Sequence, residues 1–213
     1  MQFRSFLFDL DGTLIDHFAA IHRSYAHTLP QLGLPAPTLA HVRNAVGGGL
    51  ENALLNFIKP EQVPRAVKIY RAYWDASMLD DVVALPGALA LLADLHARGM
   101  QLAVFTNKLG TSSRLICAHL GFSPYLSLTL GAQDTAWLKP DPAFTAHALT
   151  QLKADPAATL LVGDSPFDVQ AAINAGFPCW AVTTGTHTAE QLQAAGAARI
   201  FDGLPAVAAA LSD

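Results

Sequence analysis

Cysteine is scarce in this chain: two residues in 213, Cys117 and Cys179, stand far apart and outside any C-x-x-C pattern. Both are therefore expected as buried, unbridged thiols, since free cysteine packs as a small hydrophobe. Charge is also sparse, at 14% of residues, against 52% hydrophobic. Thirteen basic and seventeen acidic residues give a net charge of −4, with no Lys/Arg cluster to neutralise a run of phosphates, which argues against a nucleic-acid partner. Long apolar runs are missing too. Much of the apolar fraction is alanine, and no stretch approaches the roughly 18 uninterrupted apolar residues of a membrane span, so a soluble protein with no membrane partner is expected. The first ten residues carry one early Arg4 and a short apolar run that meets Asp9. They have neither the length nor the cleavage site of a signal peptide, and a cytoplasmic location is the expectation.

What the chain does contain is a pattern. From about Pro86 onward, short apolar runs alternate with amphipathic segments, as in strands and crossover helices of a parallel sheet. The runs predict strands over Gln101 to Phe105, Leu126 to Leu130, Thr159 to Val162 and Cys179 to Val182, with helices over Gly87 to Arg98, Thr111 to Leu120, Pro142 to Leu152, Pro166 to Ala175 and Ala189 to Ala195. Phe3 to Phe8 joins the strands, because a continuous apolar run suits burial on both faces. Residues from Asp16 to Asp81 break the alternation. They read as helices, such as Phe18 to Leu29 and Glu61 to Met78, inserted between the first strand and the rest of the sheet.

In a doubly wound sheet, ligands bind beyond the carboxyl ends of the strands. Four polar stations follow the apolar runs: Asp9-Leu10-Asp11-Gly12-Thr13, Thr106-Asn107, Lys139 before Pro140, and Gly163-Asp164-Ser165-Pro166-Phe167-Asp168. Each has a structural explanation of its own. Asp11-Gly12 suits a turn, Thr106-Asn107 a helix cap, Lys139 a solvated loop, and Ser165-Pro166 with Asp168 the first turn of a helix. Their order, each behind a strand, points to one site instead. If Asp9, Asp11, Asp164 and Asp168 converge, their like charges repel unless a cation joins them. Carboxylate oxygens with no Cys or His nearby favour Mg²⁺ over zinc, and Lys139 adds a further positive charge.

This ordered set, Asp-x-Asp-Gly-Thr, Thr-Asn, Lys-Pro and Gly-Asp-x-x-x-Asp, resembles the four motifs of haloacid dehalogenase superfamily phosphatases over nearly the whole chain. The resemblance implies an α/β fold: a Rossmann-like parallel sheet core of residues 1–15 and 82–213, with an inserted α-helical cap over 16–81. It implies that Asp9 is the nucleophile and Asp11 the general acid and base. It also implies that Mg²⁺ is held by Asp9, the backbone carbonyl of Asp11 and Asp164, with Asp168 supporting the metal site and Lys139. By the same analogy Thr106 hydrogen-bonds the transferring phosphoryl group and Lys139 steadies it. Gly12, Thr13, Asn107 and Lys108 are the neighbouring substrate-binding candidates.

The chemistry is coherent apart from the family. An aspartate carboxylate is ordinarily ionised at neutral pH and attacks phosphorus without a base, while the leaving alkoxide needs a proton and the second-step water must lose one. In the inserted block, Val46-Gly47-Gly48-Gly49-Leu50-Glu51-Asn52 is similar to a cap loop of phosphoglycolate phosphatases. Gly48 and nearby Arg43 are candidates for binding an anionic substrate, because successive glycines leave backbone N–H groups accessible. A plain helix-to-helix connection explains the loop equally well. His17, His22, His27 and His41 form no pair with zinc-site context. The expected partner is a small phosphorylated metabolite, with 2-phosphoglycolate the first compound to try, bound by a monomer or homodimer. A phosphosugar mutase resembling β-phosphoglucomutase would keep both aspartates and stays open. A phospho-accepting switch also stays open, although a general base beside the nucleophile shortens a phosphoaspartate's life.

Overall fold

The computed structural model describes residues 3–212. Among the described residues eight strands follow one another: β1 (Ser5–Phe8), β2 (Ile15–Asp16), β3 (Val83–Ala84), β4 (Gln101–Leu109), β5 (Leu128–Ala132), β6 (Thr159–Gly163), β7 (Cys179–Val182) and β8 (Arg199–Phe201). Six of them form one sheet in the order β5-β4-β1-β6-β7-β8, every neighbouring pair parallel. β1 lies inside the sheet between β4 and β6, with Phe8 level with Val104 and Val162. Those two neighbours are what its uninterrupted apolar run requires, since a strand covered on both faces has no polar side.

Alternation along the strands divides the core in two. Phe6, Phe8, Val104 and Val162 point to one face, where helices α5 (Ala88–Ala97), α6 (Gly110–His119) and α10 (Leu204–Ser212) pack with Leu91, Ile116 and Val207. Leu7, Phe105 and Leu161 point to the other, against Phe144 of α7 (Pro142–Leu152), Val169 of α8 (Pro166–Ala175) and Leu192 of α9 (Ala189–Ala195). Short polar caps start the helices on this second face. Asp141 accepts from the Ala143 amide at 2.8 Å ahead of Pro142, and Ser165 opens α8 in a capping box with Asp168.

Between β2 and β3 lie four helices, α1 (Phe18–Thr28), α2 (Leu39–Ala45), α3 (Leu50–Leu54) and α4 (Val63–Ser77). Their contacts are aromatic. Tyr25 meets Phe57 and Tyr70 at ring distances of 5.1 and 5.2 Å, and Tyr70 stacks on Trp74. This cluster is continuous with the apolar layer of the sheet's first face.

The expected strands and helices are present, with shifts that have local causes. Phe3 and Arg4 precede β1 rather than joining it. The strand forecast over Leu126 to Leu130 runs from Leu128 to Ala132, because Ser123–Tyr125 forms a 3-10 turn that Leu126 closes. β2, β3, β8 and α10 were not anticipated: strands of two or three residues are too short to show alternation. Cys117 and Cys179 are buried and unbridged. Burial pushes the Cys117 thiol up to about 11 and raises that of Cys179 well above its ordinary value. Among the described residues no helix is long and apolar enough to cross a membrane.

Candidate active site

The carboxyl ends of β1, β4 and β6 deliver their polar residues to one place. Asp9 leaves β1 with its amide still donating to the Val162 carbonyl at 2.9 Å, so its side chain emerges beside β6. Beyond it the chain turns tightly. The Leu10 carbonyl accepts from the amides of Leu14 and Ile15, and Gly12 takes a left-handed φ of +84°. A Cβ at Gly12 would lie 2.7 Å from the Gly185 Cα and 2.9 Å from Asp164 Oδ2, so two loops meet here at a spacing only glycine permits.

Lys139 ties the cluster together. The residue is 4% exposed, and its ammonium donates to Asp9 Oδ1 at 2.7 Å and to Asp168 Oδ1 at 2.6 Å. Burial alone would lower its pKa, but Asp168 and Asp9 outweigh that and hold it above the ordinary lysine value. The other oxygen of Asp168 accepts from the Ser165 amide and hydroxyl, at 3.0 and 2.6 Å. Asp168 thus caps α8 and anchors Lys139 at once, uniting its two sequence readings. Asn107 braces the same loop: its Oδ1 accepts from the Lys139 amide at 2.7 Å, and its Nδ2 donates to the carbonyls of Lys139 and Gly47.

Asp164 completes the acidic group. It is held by the Thr13 hydroxyl at 3.4 Å and the Thr186 amide at 3.2 Å. Burial, and then repulsion from Asp9 and Asp168, push its carboxyl well above the usual range. Oxygens of Asp9, Asp164 and Asp168 all lie within 4.8 Å of one another. Three buried carboxylates therefore share one lysine, and the deficit of positive charge suits a hard divalent cation bound through oxygen.

Asp11 is placed apart from this group. Lys108 donates to both its oxygens, at 3.0 and 2.8 Å, so that Lys108, expected to meet substrate, is engaged with the second aspartate. The Lys108 ammonium also sits 4.4 Å above the Trp74 ring, whose Nε1 donates to Ser112 at 3.1 Å. His17, fully buried, packs against the same Trp74 ring with its Nδ1 3.7 Å from Asp11 Oδ1. Its Nε2 donates to the Met78 carbonyl at 2.6 Å, and burial followed by the Lys108 charge keeps the ring neutral by lowering its pKa far below normal. Neither His17 nor Trp74 was among the sequence candidates. A histidine immediately after the β2 turn was the signal available for the first; nothing local marked the second.

A cavity of about 110 Å³ opens above the strand ends, lined by Asp9, Asp11, Thr106, Lys139 and Asp164 on the sheet side. The inserted helices close it from above. Gly12, Thr13 and Asp168 stand behind this lining, and the two cap candidates sit elsewhere. Arg43 donates to the Gly185 carbonyl at 3.1 Å and lies 4.1 Å over the Phe18 ring, outside the cavity lining. Gly48 faces Phe167, whose ring is 3.2 Å from where a Cβ would be, while Gly47 and Gly49 reach the cavity. The triple glycine lets the loop pack against Phe167 and Asn107.

A parallel sheet with an acidic strand-end cluster, a buried lysine and a helical insertion after the first turn defines a class of hydrolase. Residues 6–182 match the family of haloacid dehalogenase-like hydrolases, and the chain belongs to it. Among its relatives, a probable phosphatase from Dickeya dadantii named IndB is 35% identical over 92% of this chain and 88% of its own length. A plasmid-encoded phosphoglycolate phosphatase of Cupriavidus necator is 35% identical over 97% and 92%. The solved structure of a haloacid dehalogenase-like hydrolase from Streptococcus pneumoniae superimposes with a TM-score of 0.90 at 25% identity, covering 99% of each chain.

Proposed function

We propose that the chain is a phosphatase that hydrolyses a small phosphate monoester through attack by Asp9. The observation that carries this reading is the division of labour between two aspartates two residues apart. Asp9 has one oxygen tied to Lys139, which leaves Oδ2 for in-line attack on phosphorus. Asp11, turned away onto Lys108 and bordering the cavity, is free of the acidic group and suited to handle a proton. A new bond forms between the Asp9 oxygen and phosphorus as the ester oxygen leaves and takes a proton from Asp11. Water then cleaves the acyl phosphate, giving its proton back to Asp11. Thr106 and the Lys139 ammonium face the same space and balance charge on the phosphoryl oxygens.

Mg²⁺ fits the oxygens of Asp9 and Asp164, with Asp168 held behind them by Lys139 and Ser165. When bound, it supplies charge neutralisation between nucleophile and phosphate. Residues 16–81 act as a cap domain over a core of 1–15 and 82–213, and its walls choose the ester. Because relatives bear the name phosphoglycolate phosphatase, 2-phosphoglycolate is the reference compound.

Two variants test the roles. Asp9→Asn should abolish phosphate release from every ester. Asp11→Asn should lose roughly 10² to 10⁴ in rate on alkyl phosphates. With p-nitrophenyl phosphate, whose leaving group needs no proton, it should release about one equivalent of nitrophenolate per site and stall, with phosphate trapped on Asp9. Rapid mixing and intact mass measure both events. Wild-type turnover of alkyl phosphates by the Asp11 variant, or label on another residue, would overturn the assignment.

A further inference from the structure

We infer that the alcohol half of the substrate is uncharged and carries an apolar group; this rests on the phosphatase reading above and specifies its substrate class. The phosphate end of the cavity is polar, as described, but the helices above it present a different surface. Ile21 and Tyr25 from α1, Leu50 from α3, and Tyr70 and Trp74 from α4 form that wall.

The cations lining the cavity are already paired with carboxylates. Among the described residues its cations are Lys139, Lys108 and Arg71. Lys139 is paired with Asp9 and Asp168, Lys108 with Asp11, and Arg71 with Glu51 at 3.0 Å. Arg43, the cation expected to receive a second anionic group, points to the Gly185 carbonyl and the Phe18 ring. A carboxylate on the leaving group would enter beside Ile21, Tyr70 and Leu50 without an unpaired cation, and an unpaired charge in such surroundings binds poorly. An apolar group there gains instead, by roughly fourfold in binding for each methylene taken out of water.

The wall also holds the buried Tyr25, whose hydroxyl burial keeps protonated by raising its pKa. A neutral phenol donates to, or accepts from, one uncharged polar atom of a ligand.

The test compares esters that differ in one property at a time, assayed as phosphate release by the full chain with Mg²⁺. 2-Phosphoglycolate and its amide, 2-phosphoglycolamide, share a shape and differ in charge; ethyl and benzyl phosphate differ in apolar bulk. The amide should exceed the acid, and benzyl phosphate exceed ethyl phosphate, by about tenfold or more in kcat/KM, expressed mainly in KM. Leu50→Arg places a free cation on the partly exposed start of α3. It should raise kcat/KM for 2-phosphoglycolate about tenfold while lowering that for benzyl phosphate. A wild-type preference for 2-phosphoglycolate over its amide, with p-nitrophenyl phosphate turned over normally, overturns this inference and leaves the phosphatase intact. Failure to release phosphate from any of the five esters overturns both.

Discussion

Lys139 offers the sharpest test of how the site is held together. Its ammonium is the shared counter-charge of two buried carboxylates, at 2.7 and 2.6 Å, with a third, Asp164, alongside. Lys139→Met keeps the length and apolar stem but removes the charge. Breaking a buried ion pair from one side costs about 3–5 kcal/mol, because the partner is left uncompensated. In a chain of this size each kcal/mol moves Tm by roughly 2–4 °C, so the variant should melt roughly 6–20 °C lower in chelator-containing buffer. Urea denaturation under the same conditions should show the loss in midpoint with m unchanged. Pairing the change with Asp168→Asn checks the cause. Asp168→Asn should cost less in the Lys139→Met background than alone, with a coupling of about 1–3 kcal/mol, since the carboxylate it removes is the one left stranded. A Lys139→Met protein within about 1 kcal/mol of wild type would show that the carboxylates do not depend on this lysine, and the account of the cluster would fail.

Two further outcomes follow from geometry and burial. A Cβ at Gly185 would lie 1.7 Å from Asp164 Oδ2, so Gly185→Ala must displace that carboxylate; phosphate release should drop by about 10²-fold or more with little change in unfolding midpoint, and activity within a few-fold of wild type would refute the placement. The Cys117 thiol, raised to about 11 from 9.0, keeps its proton in the folded chain after the unfolded chain has lost it. Its contribution is therefore intact below about pH 9 and declines between about pH 9 and 11, by about 1.4 kcal/mol at pH 10. Urea titrations at pH 8 and 10 should show Cys117→Ala losing less stability with pH than wild type by about that amount, and equal losses would contradict the burial argument.

Much of the scaffold was legible locally. The apolar runs of β1, β4, β6 and β7 are strands, and Pro142 and Ser165-Pro166 start α7 and α8, because strand burial and helix capping depend on residues within a turn of one another. Three of the four polar stations were legible for the same reason: Asp9 follows β1, Thr106-Asn107 lies at the end of β4 and Asp164 follows β6, and a parallel sheet sends all such ends the same way; Lys139 comes from the loop between β5 and α7. What the chain could not reveal is which partner each side chain takes. Lys108 meets Asp11 across 97 positions, Thr13 meets Asp164 across 151, and Arg43 is drawn to Gly185 across 142. His17 and Trp74 read as ordinary core residues until α1 and α4 fold over the strand ends and bring them beside Asp11 and Lys108. Local sequence determines the conformations of segments and the direction in which their ends point; the pairing of charges and the walls of the cavity depend on contacts between distant segments, and only the tertiary structure decides those.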